Sequence, residues 1–232
     1  MRSLRVRYLG TVPYREAWAL QRALAEARKA GEVEDTLLLL EHEPVVTLGR
    51  DGHRGSLLAD ESTLAERGVE LVESDRGGDA TFHGPGQVVG YPIVDLRPDM
   101  KDIRRYVAGL EQAMIDTTAD YELEAGRLQG SPGIWLSNPD RKIGAVGARI
   151  SRWVTHHGFA LNVNTNLDYF RLIIPCGIAD KGVTSLAGEL GRRVSMIEVM
   201  ERLAGHLARA LGRTLVVDPP SLLVHPDREA TS

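Results

Sequence analysis

Cysteine is nearly absent from this chain: Cys176 is the only one in 232 residues. A lone thiol cannot close an internal disulfide, which suits a reducing, cytoplasmic setting. Positive charge is not in excess either. The net charge of -4 gives little electrostatic support for general nucleic-acid binding. A local basic patch remains compatible with that balance and would suit an acidic carrier protein. No apolar run approaches the roughly 18 residues of a membrane span. The start, MRSLRVRYLG, has basic residues with no apolar stretch behind them, so no signal peptide is read there. Internal repeats at the usual periods are missing, and neither GxxxxGK[ST] nor GxGxxG occurs in the glycine-rich segment, which leaves a nucleotide phosphate loop unsupported.

What is present describes an ordinary globular chain, 43% hydrophobic and 26% charged. A chain of this length buries about 70% or more of its unfolded surface and needs no staples. Residues 1–217 read as a single catalytic domain and 218–232, rich in proline and charge, as a loose tail. Helical periodicity predicts helices over Tyr14 to Ala30, stopped by Gly31, over Lys101 to Tyr121, and over Ser195 to Leu211. Ser195 with Glu198 forms a capping-box pattern, and Gly212 suits a C-cap. A shorter helix within Leu57 to Arg67 ends at Gly68. Strands are expected at Thr36 to Glu41, Val69 to Glu73, Gln87 to Leu96, Ile134 to Leu136, Arg141 to Ser151 and Thr155 to Val163. The expected class is α+β: a mixed, largely antiparallel sheet with helices packed against it.

Four segments carry chemistry. Asp75 to Gln87, DRGGDATFHGPGQ, packs four glycines between two expected strands; these meet turn geometry or let backbone N–H groups approach a ligand. Arg76 within it either holds an anionic group or braces the loop. Pro175-Cys176-Gly177 follows an apolar run, so a sharp corner there either presents the sulfur to a cleft or buries an inert thiol. Arg141 to Gly147 reads as a strand of small residues beneath a ligand or another backbone, with Lys142 at its start as a site lysine or a solvated one. In Thr155 to Asn162, the adjacent His156 and His157 are expected on opposite faces of a strand, which argues against their sharing a metal. No metal and no cofactor are expected.

These segments together resemble the lipoate-protein ligase B family, the octanoyl-[acyl-carrier-protein]:protein N-octanoyltransferases. The family pattern RGGxxTxHGPGQ is met at Arg76 to Gln87, K-I-x-A-x-G at Lys142 to Gly147, HGFALN at His157 to Asn162 and P-C-G-I at Pro175 to Ile178. EHEPVVTLGR after the early leucine run is similar too, and the likeness covers about Tyr8 to Leu211. It implies the fold shared by biotin and lipoate ligase catalytic domains. It implies Cys176 as acyl-thioester nucleophile and Lys142 as the residue that lowers the thiol pKa and moves protons. It implies an acyl pocket lined by Arg76, Gly77, Gly78, Asp79, Ala80, Thr81, Phe82 and His83, by Ala145, Val146 and Gly147, and by Gly158, Phe159 and Ala160. It also implies an octanoyl-acyl-carrier-protein donor, with lipoyl domains of 2-oxo acid dehydrogenases and the glycine cleavage carrier protein as acceptors. On this reading Gly144, Gly147 and Gly158 floor the pocket, Val146 and Phe159 cap its end, and His83 is not the general base. Backbone N–H groups near Cys176 or in the glycine loop would hold the oxyanion. The alternatives are an ATP-dependent lipoate or biotin ligase and a non-catalytic acyl-binding module.

Overall fold

The computed structural model describes residues 2–174 and 181–217; Cys176 and the expected tail lie outside them. The stretch Thr36 to Glu41 shows how the fold is laid out. It belongs to strand β2 (Asp35–Glu41), in which every leucine is fully buried. Successive side chains of a strand point to opposite faces, so an unbroken leucine run requires cover on both. Leu37 and Leu39 meet helices α3 (Ile103–Ala119) and α5 (Met196–Ala210); Leu38 and Leu40 meet α1 (Tyr14–Ala30). Each fully buried leucine contributes about 1.5–3 kcal/mol.

The other strands of the main sheet are β1 (Arg2–Thr11), β6 (Gln87–Ile93), β7 (Gly126–Leu128), β8 (Ser131–Leu136), β9 (Arg141–Ser151), β10 (Val154–Asn162), β11 (Gly182–Val183) and β12 (Arg213–Val217). They run β12-β1-β2-β6-β10-β9-β8-β7, with β11 beside the start of β9. From β2 to β7 every neighbour is antiparallel; β1 is parallel to β12 and β2, and β11 is parallel to β9. A small sheet of β3 (Val45–Leu48), β4 (Glu70–Glu73) and β5 (Ala80–His83), flanked by α2 (Glu61–Glu66), has the order β4-β3-β5. The remaining helix is α4 (Leu186–Leu190).

The expected helices are present, and their ends follow the expected caps. Gly31 closes α1 in the left-handed conformation at φ 81°, and Ser195 Oγ accepts the Glu198 N–H at 3.3 Å. The other arm of the capping box is replaced: the Glu198 carboxylate pairs with Arg202 at 2.9 Å. Six strands stand where sequence reading expected none, β1, β3, β5, β7, β11 and β12; of these β1 and β12 pair with each other. Their cohesion is ionic as well as apolar. Asp35, on β2, accepts from Arg2, Arg28 and Arg213, each at 2.8 Å.

Candidate active site

Strand β9 carries an irregularity that decides where Lys142 points. Opposite it on β8, Ile134 pairs with Gly144 but Trp135 pairs with Lys142, so Ile143 is an extra residue. Such a bulge reverses the alternation of side chains along the strand. Ile143 and the Gly144 position both face the helical core: a Cβ on Gly144 would lie 2.9 Å from Met114 Sδ. Lys142 falls on the same face as Ala145, although three positions separate them and a regular strand would oppose them. Its Nζ stands 4.8 Å from the centroid of the Trp135 ring, and the residue is 9% exposed. β11 holds the same point from the other side, with the Thr184 N–H donating to the Lys142 carbonyl at 2.9 Å.

Lys142 lines a narrow slot with Thr81, Gln87, Asn162 and Phe170. Thr81, Ala145 and Ala160 are shared between this slot and a larger cavity. That cavity is lined by Arg76, Gly78, Thr81, His83, Ala145, Val146, Gly147, Gly158, Phe159 and Ala160, all expected site residues, and by Tyr14, Tyr91 and His157, which were not. Four expected residues point elsewhere. Ala80 and Phe82 alternate with Thr81 and His83 on β5 and bury themselves in a separate cluster, where the Phe82 ring stacks on Tyr169 at 4.7 Å. Asp79 Oδ1 accepts from Ser56 Oγ at 2.6 Å and from its neighbour's N–H at 2.7 Å. Gly77 lies against β9, its N–H donating to Ala148 O.

Arg76 braces the loop. Its guanidinium donates to Thr47 Oγ1, Thr47 O, Gly77 O and Asp79 O at 2.6–3.0 Å. His83 is buried: Nδ1 meets Gln87 Oε1 at 2.7 Å, and its ring lies parallel to Tyr14 with centroids 6.2 Å apart. Burial, with His42 nearby, pushes its pKa down to about 3, which makes it a poor proton acceptor at neutral pH. Gln87 continues to Asn162 Oδ1 at 2.9 Å, and Asn162 donates to Thr184 O at 3.0 Å, so side-chain amides tie β6, β10 and the entry to α4 together behind the slot. The Phe159 ring crosses Gly90 on the sheet face that carries α3, where a Cβ on that glycine would sit 2.1 Å from the ring.

The two adjacent histidines correct an expectation. Rather than facing apart, both rings turn to one carboxylate: His157 Nε2 is 2.7 Å from Asp75 Oδ1 and His156 Nε2 is 3.7 Å from Oδ2. The cause is a left-handed backbone at His157, φ 53°, which breaks the alternation. Their ligand atoms and that of Asp75 lie within 4.8 Å of one another, a donor set able to hold a cation. Arg149 already supplies positive charge there, at 2.6 Å from Asp75 Oδ2. A cation would have to sit beside that guanidinium. The His157 hydrogen bond holds the Asp75 carboxyl well below its usual range.

Comparison with known proteins gives the family of the chain. The lipoyl protein ligase A/B catalytic domain matches residues 13–208. The chain belongs to that family. Within it the chain is similar to the octanoyltransferase of Solibacter usitatus, 52% identical over 209 residues that span 90% of this chain and 93% of the relative. It is also similar to the octanoyltransferase of Koribacter versatilis, 52% identical over 201 residues, 85% and 80% of the two chains. Family and relatives make it an acyltransferase. Among solved structures, lipoate-protein ligase A bound with ATP superposes with a TM-score of 0.75 at 19% identity, covering 94% of this chain and 89% of the other. The bi-partite lipoate protein ligase of Thermoplasma acidophilum gives 0.75 at 18% over 94% and 87%. The biotin protein ligase of Aquifex aeolicus gives 0.55 at 14% over 91% and 71%. These likenesses establish the ligase-type fold. Among the described residues no helix is long and apolar enough to cross a membrane.

Proposed function

We propose that this acyltransferase takes an octanoyl group from acyl-carrier protein, holds it as a thioester on Cys176 and passes it to a lysine of a lipoyl domain in the cytoplasm. The observation that carries the reading is the bulged lysine in a slot that adjoins a largely apolar cavity. An acyl chain in that cavity would present its carbonyl toward Nζ. The chain on either side of residues 175–180 is fastened nearby. Ile174 donates to Ser56 O at 2.8 Å, and Val183 pairs with Lys142 itself.

The proposed chemistry pairs Cys176 with Lys142. A thiolate attacks thioesters, and an adjacent ammonium favours the anion. Cys176 Sγ forms a bond to the acyl carbonyl carbon, and the carrier's thiolate leaves with a proton from Lys142. The acceptor amine then attacks the acyl-enzyme, its proton passes to Lys142, and Cys176 departs as thiolate. Thioester exchange is nearly balanced, and amide formation drives the whole. No nucleotide is consumed, because the donor is already activated. In keeping with the acceptor, one structural neighbour is an archaeal lipoate ligase described with its E2 lipoyl domain.

Intact-mass measurement after mixing with octanoyl-carrier protein tests this. One octanoyl adduct should form without ATP, be absent in Cys176→Ser and pass to added lipoyl domain. Lys142→Ala should slow both steps while unfolding at the wild-type temperature. Retained turnover in Cys176→Ser that depends on ATP and free octanoate would make the protein a ligase, and donor binding with no adduct would make it an acyl-binding module.

A further inference from the structure

We infer that His157 is the stop that sets acyl-chain length, with the β9–β10 ladder as the ruler; the inference rests on the acyl-transfer reading above. The cavity follows the paired strands rung by rung: Ala145 with Ala160, Val146 with Phe159, and Gly147 with Gly158. The next rung pairs Ala148 with His157, and there the floor of glycine and alanine ends in an imidazole. From Ala145 to Ala148 a strand rises about 10 Å, which is the span of an extended eight-carbon chain. Lys142 lines the slot that joins this cavity at Ala145 and Ala160, so a carbonyl held at that junction directs the terminal methyl toward His157.

The ring is held as a stop should be. Its own left-handed backbone turns it to the face of the sheet that carries α1. The His157 backbone N–H donates to Gln21 Oε1 at 2.8 Å, the ring Nε2 meets Asp75 at 2.7 Å, and Arg149 fixes Asp75 in turn. Trp18 and Tyr91 stand around it, with ring centroids 6.0 and 6.2 Å away. Tyr14 lines the same cavity, packs beside Trp18 with ring centroids 6.2 Å apart, and is anchored to Ser74 Oγ at 2.8 Å. Burial lowers the His157 pKa, so the ring meets a methyl group in its neutral form. Two more methylenes would have to displace a residue restrained at three points. Val146 and Phe159, expected as the cap, lie two rungs short of this end, and the Phe159 ring packs on the opposite face of the sheet.

Thioesters of six, eight, ten and twelve carbons on carrier protein, with acylation followed by intact mass, test the ruler. His157→Gly and His157→Asn accept the positive φ while removing the ring. Each should raise the ten-to-eight-carbon rate ratio about tenfold or more. Tyr14→Leu, on a different element of the same wall, should shift the profile in the same direction and covers failure of the His157 variants to fold. Folded variants that are acylated with an unchanged preference for eight carbons would overturn the ruler. A wild-type protein that takes no adduct from any chain would instead remove the function beneath it.

Discussion

Replacing Arg76 by lysine separates two roles for a buried cation beside an acyl cavity. If the guanidinium binds a substrate anion, lysine keeps the charge and the fold, and the loss appears in donor affinity. The structure argues for the other role. Four hydrogen bonds of 2.6–3.0 Å run from Arg76 to β3 at Thr47 and to its own loop at Gly77 and Asp79. An ammonium carries its three donors on one atom and cannot span both sides of that bracket. Two charge-assisted bonds are lost, at about 1.5 kcal/mol or more each, so Arg76→Lys should destabilise the protein by about 3 kcal/mol. For a chain of this size the melting temperature should fall by about 6–12 °C. Thermal unfolding by circular dichroism measures the first effect, and acylation rate against carrier concentration measures the second. A melting temperature within about 2 °C of wild type together with a KM raised about tenfold would refute the bracing role.

Stability should also depend on pH through two enclosed histidines. Burial lowers His42 from 6.5 to about 4 and His83 from 6.5 to about 3. Below pH 6.5 the unfolded chain therefore binds more protons than the folded one, and stability falls as pH decreases toward the folded values. Between pH 6.5 and 5 the loss is about 2 kcal/mol for each histidine; a urea midpoint that stays flat over that window would contradict it. Far from the cavity, Asp35→Asn leaves Arg2, Arg28 and Arg213 facing a neutral amide where both Asp35 and Arg213 side chains are 1% exposed. A cost of about 3–5 kcal/mol follows, read by urea unfolding, with acylation at low denaturant unchanged; a loss under about 1 kcal/mol would mean the cluster is not a structural clamp.

The sequence disclosed elements whose signal is local. Leucine repetition marked β2, helical spacing marked α1, α3 and α5, and glycines marked the loop over the cavity. The first strand escaped although Leu4 and Val6 alternate with Arg5 and Arg7, because its partner β12 lies at the far end of the chain and nothing local announces the pairing. The site divided in the same way. Positions floored by small residues were legible because the absence of a side chain is itself the feature. Tyr14, Tyr91 and His157 were not, since an aromatic residue on a helix or strand looks like core until the opposing surface is known. His157 escaped for a further reason: alternation is a rule for regular backbone, and a positive φ suspends it without any mark in the neighbouring residues.

The extra residue at Ile143 has a bearing on how acyl transfer could be moved between relatives of this fold. On a regular strand, a lysine three positions before Ala145 would send its amine into the helix layer, away from the cavity. The heritable unit is a kink together with the side chain that it aims, so a graft should carry the whole turn of β9 from Arg141 through Ala145 rather than a single amino acid.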